Sequence, residues 1–380
     1  MASFAGIQMD LLVRGWLVYE MTGSALNLGI VGIAFGLPIF TFSFWGGIVA
    51  DRVGKLRLII VSQAATGAVS LGIAILLATG AIVWWHFVVA AFLQGVIFAF
   101  QAPGRQAFVP ELVNRQELLN AIALNSSALN LMRIIAPAIG GILLATIGAT
   151  GVYYVIVACN MTSVATLFVI SIPVRQVKPK QTFKSDMFQG LRFIRHNPTI
   201  LALLTMAFVP TIFGLPYMYL MPVFAADVLK VGETGLGWLM TMIGVGALAG
   251  SLGIASLVDF RHKGLLQLIL VFVFGVTLCL FSQSSHFGLS LALITGVGLG
   301  SIGYITLNNT LILHNTPQKV QGRVMSNFMM TFGLMPVGAL PMGALAEFWG
   351  SPLTVFVGGA IVIVFTVAMG TLIPRLRRLE

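Results

Sequence analysis

The chain has 380 residues, 58% of them hydrophobic and 8% charged, with a formal net charge of +10. A soluble domain carries about 25% charged residues, so too few charges remain here to cover a water-facing surface, and lipid must be the solvent for most of the chain. The basic residues stand in short clusters between apolar runs rather than along one stripe, which excludes a nucleic-acid surface and fits loops at an anionic membrane face.

Runs of about 20 apolar residues predict twelve membrane helices, at 2–20, 27–49, 58–79, 82–103, 119–147, 151–173, 198–222, 234–257, 264–283, 287–313, 325–348 and 352–373. The first begins at Met1 with no leading tail. About 20 residues at 1.5 Å each barely cross a core of about 30 Å, so a truncated or misassigned start, or a short variant, is expected. Pro137, Pro210, Pro216, Pro336 and Pro341 interrupt later runs, as neighbouring helices allow in a membrane. Loops after even-numbered runs carry Arg52, Lys55, Arg57, Arg105, Arg115, Arg261, Lys263, Lys319 and Arg323, and the tail adds Arg375, Arg377 and Arg378. The odd-numbered loops carry Lys230. The positive-inside rule then puts both termini in the cytoplasm.

The longest polar stretch, 174–197, joins the sixth and seventh runs. Met187, Leu191 and Ile194 fall at helical spacing with Arg192 and Arg195 between them, the pattern of a short amphipathic helix on the membrane surface; an unstructured linker is the plainer alternative. Asp51 after the second run has a counterpart in Asp259 after the eighth, and Pro110 after the fourth in Pro317 after the tenth, at nearly one offset. The expectation is an all-α integral membrane protein of twelve transmembrane helices in two pseudo-symmetric six-helix bundles, 1–173 and 198–380, joined by the linker at 174–197. Tandem bundles of this kind place a substrate path near the bilayer midplane.

Residues 47–58 hold Gly47, Asp51, Arg52, Gly54, Lys55 and Arg57 in one short basic loop between two apolar runs. The segment resembles the signature Gly-x-x-x-Asp-Arg-x-Gly-Arg/Lys between helices 2 and 3 of the major facilitator superfamily, and the resemblance extends over essentially the whole chain. Residues 15–24, 103–113 and 322–326 resemble the bacterial exporter branch that includes enterobactin and macrolide efflux proteins. The resemblance implies a cytoplasmic gating latch built on Gly47, Asp51, Arg52, Gly54 and Lys55. It also points to the helix-5 antiporter motif at Pro137, Gly140 and Gly141, where Ala136 replaces the first glycine. The arginine that proton antiporters place before Gln94-Gly95 is Ala91 here, so a proton route through that arginine is absent.

Charge inside a span costs about 2.5–3.5 kcal/mol on insertion scales, which makes it the best unaided evidence for function. Three such residues lie deep in the predicted spans: Asp10, Arg14 and Arg133. Asp10 and Arg14 are four apart on one helix face, either a protonation site with its modulating cation or a static ion pair. Arg133 lies roughly 21 Å into its helix, placed to hold an anionic substrate group or a carboxylate such as Asp10. Gln94, Asn125, Asn130, Asn308 and Asn309 are further candidates for the path, although each taken singly reads better as an interhelical hydrogen bond. Cys159 and Cys279 read as small core residues and His86 as part of an interfacial aromatic belt. The Gly-x-Gly-x-x-Gly at 298–303 lies inside an apolar run, without the strand–turn–helix that phosphate binding needs. No metal-ligand spacing and no nucleophile motif is present.

The reading is a secondary active exporter of a small amphipathic compound such as a drug or siderophore. It would be driven by a proton gradient without cofactor or metal, not an enzyme, and monomeric in the lipid bilayer of a bacterial inner membrane. An uptake symporter on the same fold is the alternative, and a non-transporting receptor or assembly factor the remote one.

Overall fold

A bilayer leaves a backbone no water to bond with, so each segment at membrane depth closes its own hydrogen bonds as helix. The computed structural model describes residues 1–108, 117–169, 193–257, 260–377 and 379, and among these no strand occurs. The helices are α1 (Ala2–Thr22), α2 (Ala25–Val53), α3 (Lys55–Ala78), α4 (Trp84–Phe108), α5 (Leu118–Phe168), α6 (Pro198–Val209), α7 (Gly232–Ser256), α8 (Lys263–Gln283), α9 (Phe287–His314), α10 (Gln318–Phe332), α11 (Met335–Trp349) and α12 (Ser351–Leu372).

Local chemistry sets the ends. Gly23 takes a left-handed conformation (φ 61°) and its N–H closes α1 on the Tyr19 carbonyl, while the Ser24 hydroxyl accepts the Asn27 N–H to start α2. A single residue, Gly54, separates α2 from α3, and its φ of 89° is open to glycine and strained for other residues. Gly148, at φ 69° and ψ 173°, breaks α5 into two helical stretches.

Nine helices among the described residues are long and apolar enough to cross a membrane, against the twelve runs expected. The shortfall has three causes. Asp10, Arg14 and Glu20 make α1 too polar to qualify. Leu124–Phe168 counts once although Gly148 divides it. The expected eleventh run is divided into α10 and α11, each 15 residues long. Of the amphipathic helix expected in the linker, only 193–196 fall within the described residues, and they are helical.

The chain forms two compact units, Met1–Pro179 with Lys230–Thr241, and Lys180–Leu229 with Met242–Glu380. In the first, α1 packs on α5, α2 on α4, and α3 on both α4 and α5. Small residues set these approaches, because apolar burial gives helices in lipid no net drive to associate. Gly95 of α4 lies against the Phe35 carbonyl of α2, where a Cβ would collide with backbone. The start of α7 belongs to this unit: a Cβ on Gly141 would stand 2.9 Å from the Gly237 Cα, and the Thr241 hydroxyl donates to the Ile134 carbonyl at 2.9 Å.

In the second unit α8 packs on α9 and α12. Gly298 meets the Ile243 carbonyl and Gly300 the backbone of Leu270 and Phe274, so the dinucleotide-like string in α9 is a packing surface. Beyond α6 the backbone becomes irregular, with π turns at Pro210–Gly214 and Phe224–Val228 around a 3-10 stretch at Leu215–Leu220. Pro210, Pro216 and Pro222 remove donors there. Thr211, Tyr217 and Met221 on this stretch are buried in protein, the setting in which irregular backbone is tolerated at membrane depth.

Gly95→Ala is expected to lower the thermal midpoint of the detergent-purified protein, by the equivalent of about 1–3 kcal/mol of overpacking. Gly72→Ala, whose Cβ would meet nothing within 4 Å, is expected to leave the midpoint in place.

Candidate functional site

Asp10 and Arg14 are the two charged side chains that are fully buried among the described residues, at 5% and 6% exposure. One helical turn apart, they meet directly: Arg14 Nη2 lies 3.1 Å from Asp10 Oδ2. Arg14 Nη1 donates to Gln94 Oε1 of α4 at 2.7 Å, and the guanidinium carbon stands 5.9 Å from the centre of the Phe35 ring of α2. The buried Tyr153, five residues past the Gly148 break in α5, stands beside Asp10. Four helices of the first unit thus converge on one ion pair.

The glycine contacts explain how. A Cβ on Gly140 of α5 would stand a tight 3.3 Å from the Met9 Cγ, and Gly6 lies against Ile156, Cys159 and Asn160. Together they seat α1 on both stretches of α5 and bring Asp10 up to Tyr153. Gly95 holds α4 against α2 next to Phe35, which sets the adjacent Gln94 over the same guanidinium. Arg14 then divides its donors between a charged and a neutral acceptor and turns its face to an aromatic ring, an arrangement suited to guanidinium geometry. Chemically the cluster holds a carboxylate that can take a proton, beside a cation with neutral acceptors able to retain it when the carboxylate is neutralised.

Arg133 is elsewhere on α5. It is half-buried, and no ion pair or hydrogen bond joins it to any described residue; Asp10 is satisfied by Arg14 rather than by Arg133. Asn130 and Asn125 are half-buried. Pro137, Gly140 and Gly141 are buried and form the surface against α1 and the start of α7. In the basic loop, Gly47, Asp51 and Arg52 lie in the closing turns of α2, with their side chains outside the described part. Gly54 makes the turn, and Lys55 begins α3. Asp259, the counterpart in the second half, also falls outside the described residues.

Other sequence candidates resolve into local contacts. Asn308 of α9 accepts from Gln267 of α8 at 2.6 Å, a buried interhelical bond. His86 Nδ1 accepts the Val83 N–H at 2.9 Å and its ring packs on Trp85. Both cysteines are free thiols.

Tyr153 and Phe35 escaped the sequence reading. Tyr153, next to Tyr154 at the start of an expected span, has the signature of an interfacial aromatic. Phe35 is one of 27 phenylalanines. Nothing local marks either as a neighbour of α1.

The whole chain, residues 1–380, matches the model of the family described as transmembrane secretion effector. It is 25% identical to the multidrug efflux pump Tap of Mycolicibacterium fortuitum, covering 99% of the chain and 94% of that protein. Identity to the staphyloferrin A transporter of Staphylococcus aureus is 26%, covering 91% of the chain and 87% of the relative. For the enterobactin exporter EntS of Shigella flexneri it is 28%, covering 81% and 73%. Among solved structures, a D-xylose-proton symporter superposes with a TM-score of 0.78 at 12% identity, over 99% of this chain and 97% of that one. A bacterial homolog of the human lysosomal transporter Spinster gives 0.77 at 13%, over 99% and 95%. At such identities the superpositions speak to the fold alone.

Asp10→Asn leaves Arg14 buried without its counter-ion, a change that typically costs about 3–5 kcal/mol. The variant is expected to lower the thermal midpoint of the purified protein, by less than the full penalty because Gln94 and Phe35 remain. Asp10→Asn combined with Arg14→Gln is expected to recover most of the loss in the same melt.

Proposed function

The chain belongs to the transmembrane secretion effector family of the major facilitator superfamily, and on that premise we propose that it is a proton-driven exporter of a small amphipathic compound. It is a multi-pass membrane transporter and not an enzyme. Relatives named as a multidrug efflux pump and an enterobactin exporter support the outward direction. We further read the chain as twelve spans, with α5 crossing twice at the Gly148 break and α10 with α11 forming one interrupted crossing. The Lys and Arg distribution supports cytoplasmic termini in a bacterial inner membrane. Cargo and protons are its ligands; no cofactor or metal is needed, and the monomer suffices.

The observation that carries the coupling is the buried Asp10–Arg14 pair. A proton arriving at Asp10 removes the charge that holds Arg14. The guanidinium then rests on Gln94 and Phe35, and the balance between two arrangements of the unit shifts by the difference in how each solvates that cation. Export requires that this difference favour cargo release toward the proton-rich side. Without an arginine at position 91, α1 has to carry the proton by itself.

Asp51 supplies the gate. A carboxylate within a basic loop adds nothing to membrane anchoring, whereas it can accept hydrogen bonds from the N-terminal turn of a neighbouring helix and hold the cytoplasmic ends together. Gly54 supplies the sharp turn that follows α2.

In vesicles of known orientation with an imposed proton gradient, cargo flux is expected to depend on the gradient and to lose that dependence in Asp10→Asn. Flux in the opposite direction would establish uptake, and absence of counterflow would exclude transport. A pH profile unchanged in Asp10→Asn would remove Asp10 from the coupling. Asp51→Asn is expected to insert normally and to transport more slowly; wild-type flux from inserted protein would rule out the latch.

A further inference from the structure

Arg133 is the one charged residue lying more than a turn inside any of the nine candidate spans among the described residues. It stands nine residues past Leu124, where its candidate span begins, hence about 14 Å along the axis. That is near the middle of a hydrocarbon layer about 30 Å thick.

The helix geometry says which way it points. At 100° per residue, Asn130, Pro137, Gly140, Gly141 and Leu144 share the flank of Arg133. Leu131, Ile135, Ile139 and Ile142 take the opposite flank. The second set is 38–46% exposed, whereas Leu144 is 7% exposed and Pro137, Gly140 and Gly141 are buried. Gly140 and Gly141, on the Arg133 flank, rest against Met9 of α1 and Gly237 of α7. The lipid side of α5 is therefore aliphatic, and the arginine lies on the protein side.

A cation at that depth on that side calls for an anion, and none stands against it among the described residues. Asp10 is held by Arg14. Glu233 touches α5 through its backbone carbonyl at Gly141, two turns further along the helix, and from there to Ser256 α7 carries no charge. A lipid headgroup at the membrane surface is out of reach from mid-span.

Resting on the transport reading above, we infer that the cargo carries an anionic group, a carboxylate or sulfonate, and that Arg133 is its binding residue, with Asn130 as a neutral hydrogen-bonding neighbour. The planar guanidinium offers two parallel donors that match such a group. Its charge stands uncompensated until cargo arrives, so binding supplies what the protein omits. The aliphatic and aromatic remainder of the cargo accounts for the amphipathic character already proposed.

The test uses three probes on one skeleton: 1-pyrenebutyrate (anionic), 1-pyrenebutanol (neutral) and a pyrenebutyl trimethylammonium (cationic). Binding to the purified full chain in nanodiscs is read by fluorescence. The wild type is expected to prefer the butyrate at least about tenfold over both analogues, about 1.4 kcal/mol, equally in neutral and phosphatidylglycerol-containing discs. Arg133→Gln is expected to lose that preference and Arg133→Lys to retain part of it. Because the arginine has no partner among the described residues, Arg133→Gln is also expected to melt no lower than wild type without probe. Absence of any preference for the anion, an unchanged preference in Arg133→Gln, or a preference present only in anionic lipid would overturn the inference. Binding is measured without a gradient, so failure of the export reading in the flux assay leaves this result standing by itself, and the converse also holds.

Discussion

Inside a bilayer, burying apolar surface does not bring helices together, because lipid tails are as apolar as the side chains they would displace. What remains is contact distance, and this chain controls it with glycine. Gly95 lets α4 reach the Phe35 carbonyl, Gly140 lets α5 reach Met9, and Gly141 meets Gly237 backbone to backbone. Each contact is short because a hydrogen stands where a methyl group would be. The setting of the Asp10–Arg14 pair follows from those approaches. Gln94 is the residue beside Gly95, and Asp10 the residue beside Met9.

Electrostatics then acts on a frame already closed. An ion pair taken out of water does not by itself add stability, since the desolvation of two charges roughly offsets their attraction. The presence of Asp10 and Arg14 in α1 is therefore better explained by use than by strength. Their surroundings agree. Arg14 has second and third partners in Gln94 and Phe35, and Tyr153 is buried beside Asp10.

The two arginines of the first unit differ in that respect. Arg14 is fully served by its neighbours; Arg133 has none among the described residues. Sequence spacing alone treated both as charges in spans. The distinction needed the packing of α1, α2 and α4 around one of them, and the sidedness of α5 around the other. In the second unit the described buried polar residues are neutral, as Gln267 and Asn308 illustrate, and the irregular stretch after α6 is enclosed by protein. The described charge chemistry at membrane depth is thus confined to the first unit.

The membrane class, the major facilitator family and the pairing of Asp10 with Arg14 were legible from residue order, because each depends on local quantities. These are the length of an apolar run, a short loop with fixed residue types, and an i, i+4 spacing on one helix. Gln94 was marked as a candidate, but not as the partner of Arg14. Tyr153 and Phe35 were not marked at all, since a tyrosine near a span end and one phenylalanine among many carry no sign of what they face. The fifth and sixth runs, ending at 147 and beginning at 151, bracketed the break of α5 at Gly148, and Pro336 marked the interruption of the eleventh. That no loop separates the two stretches of α5 lay beyond the reading, because apolar content measures a segment's solvent and not its dihedral angles. Sequence by itself therefore determined the solvent, the family and the charges that must be answered. Tertiary structure decided which neighbours answer them, because that depends on how closely backbones distant in the chain can approach.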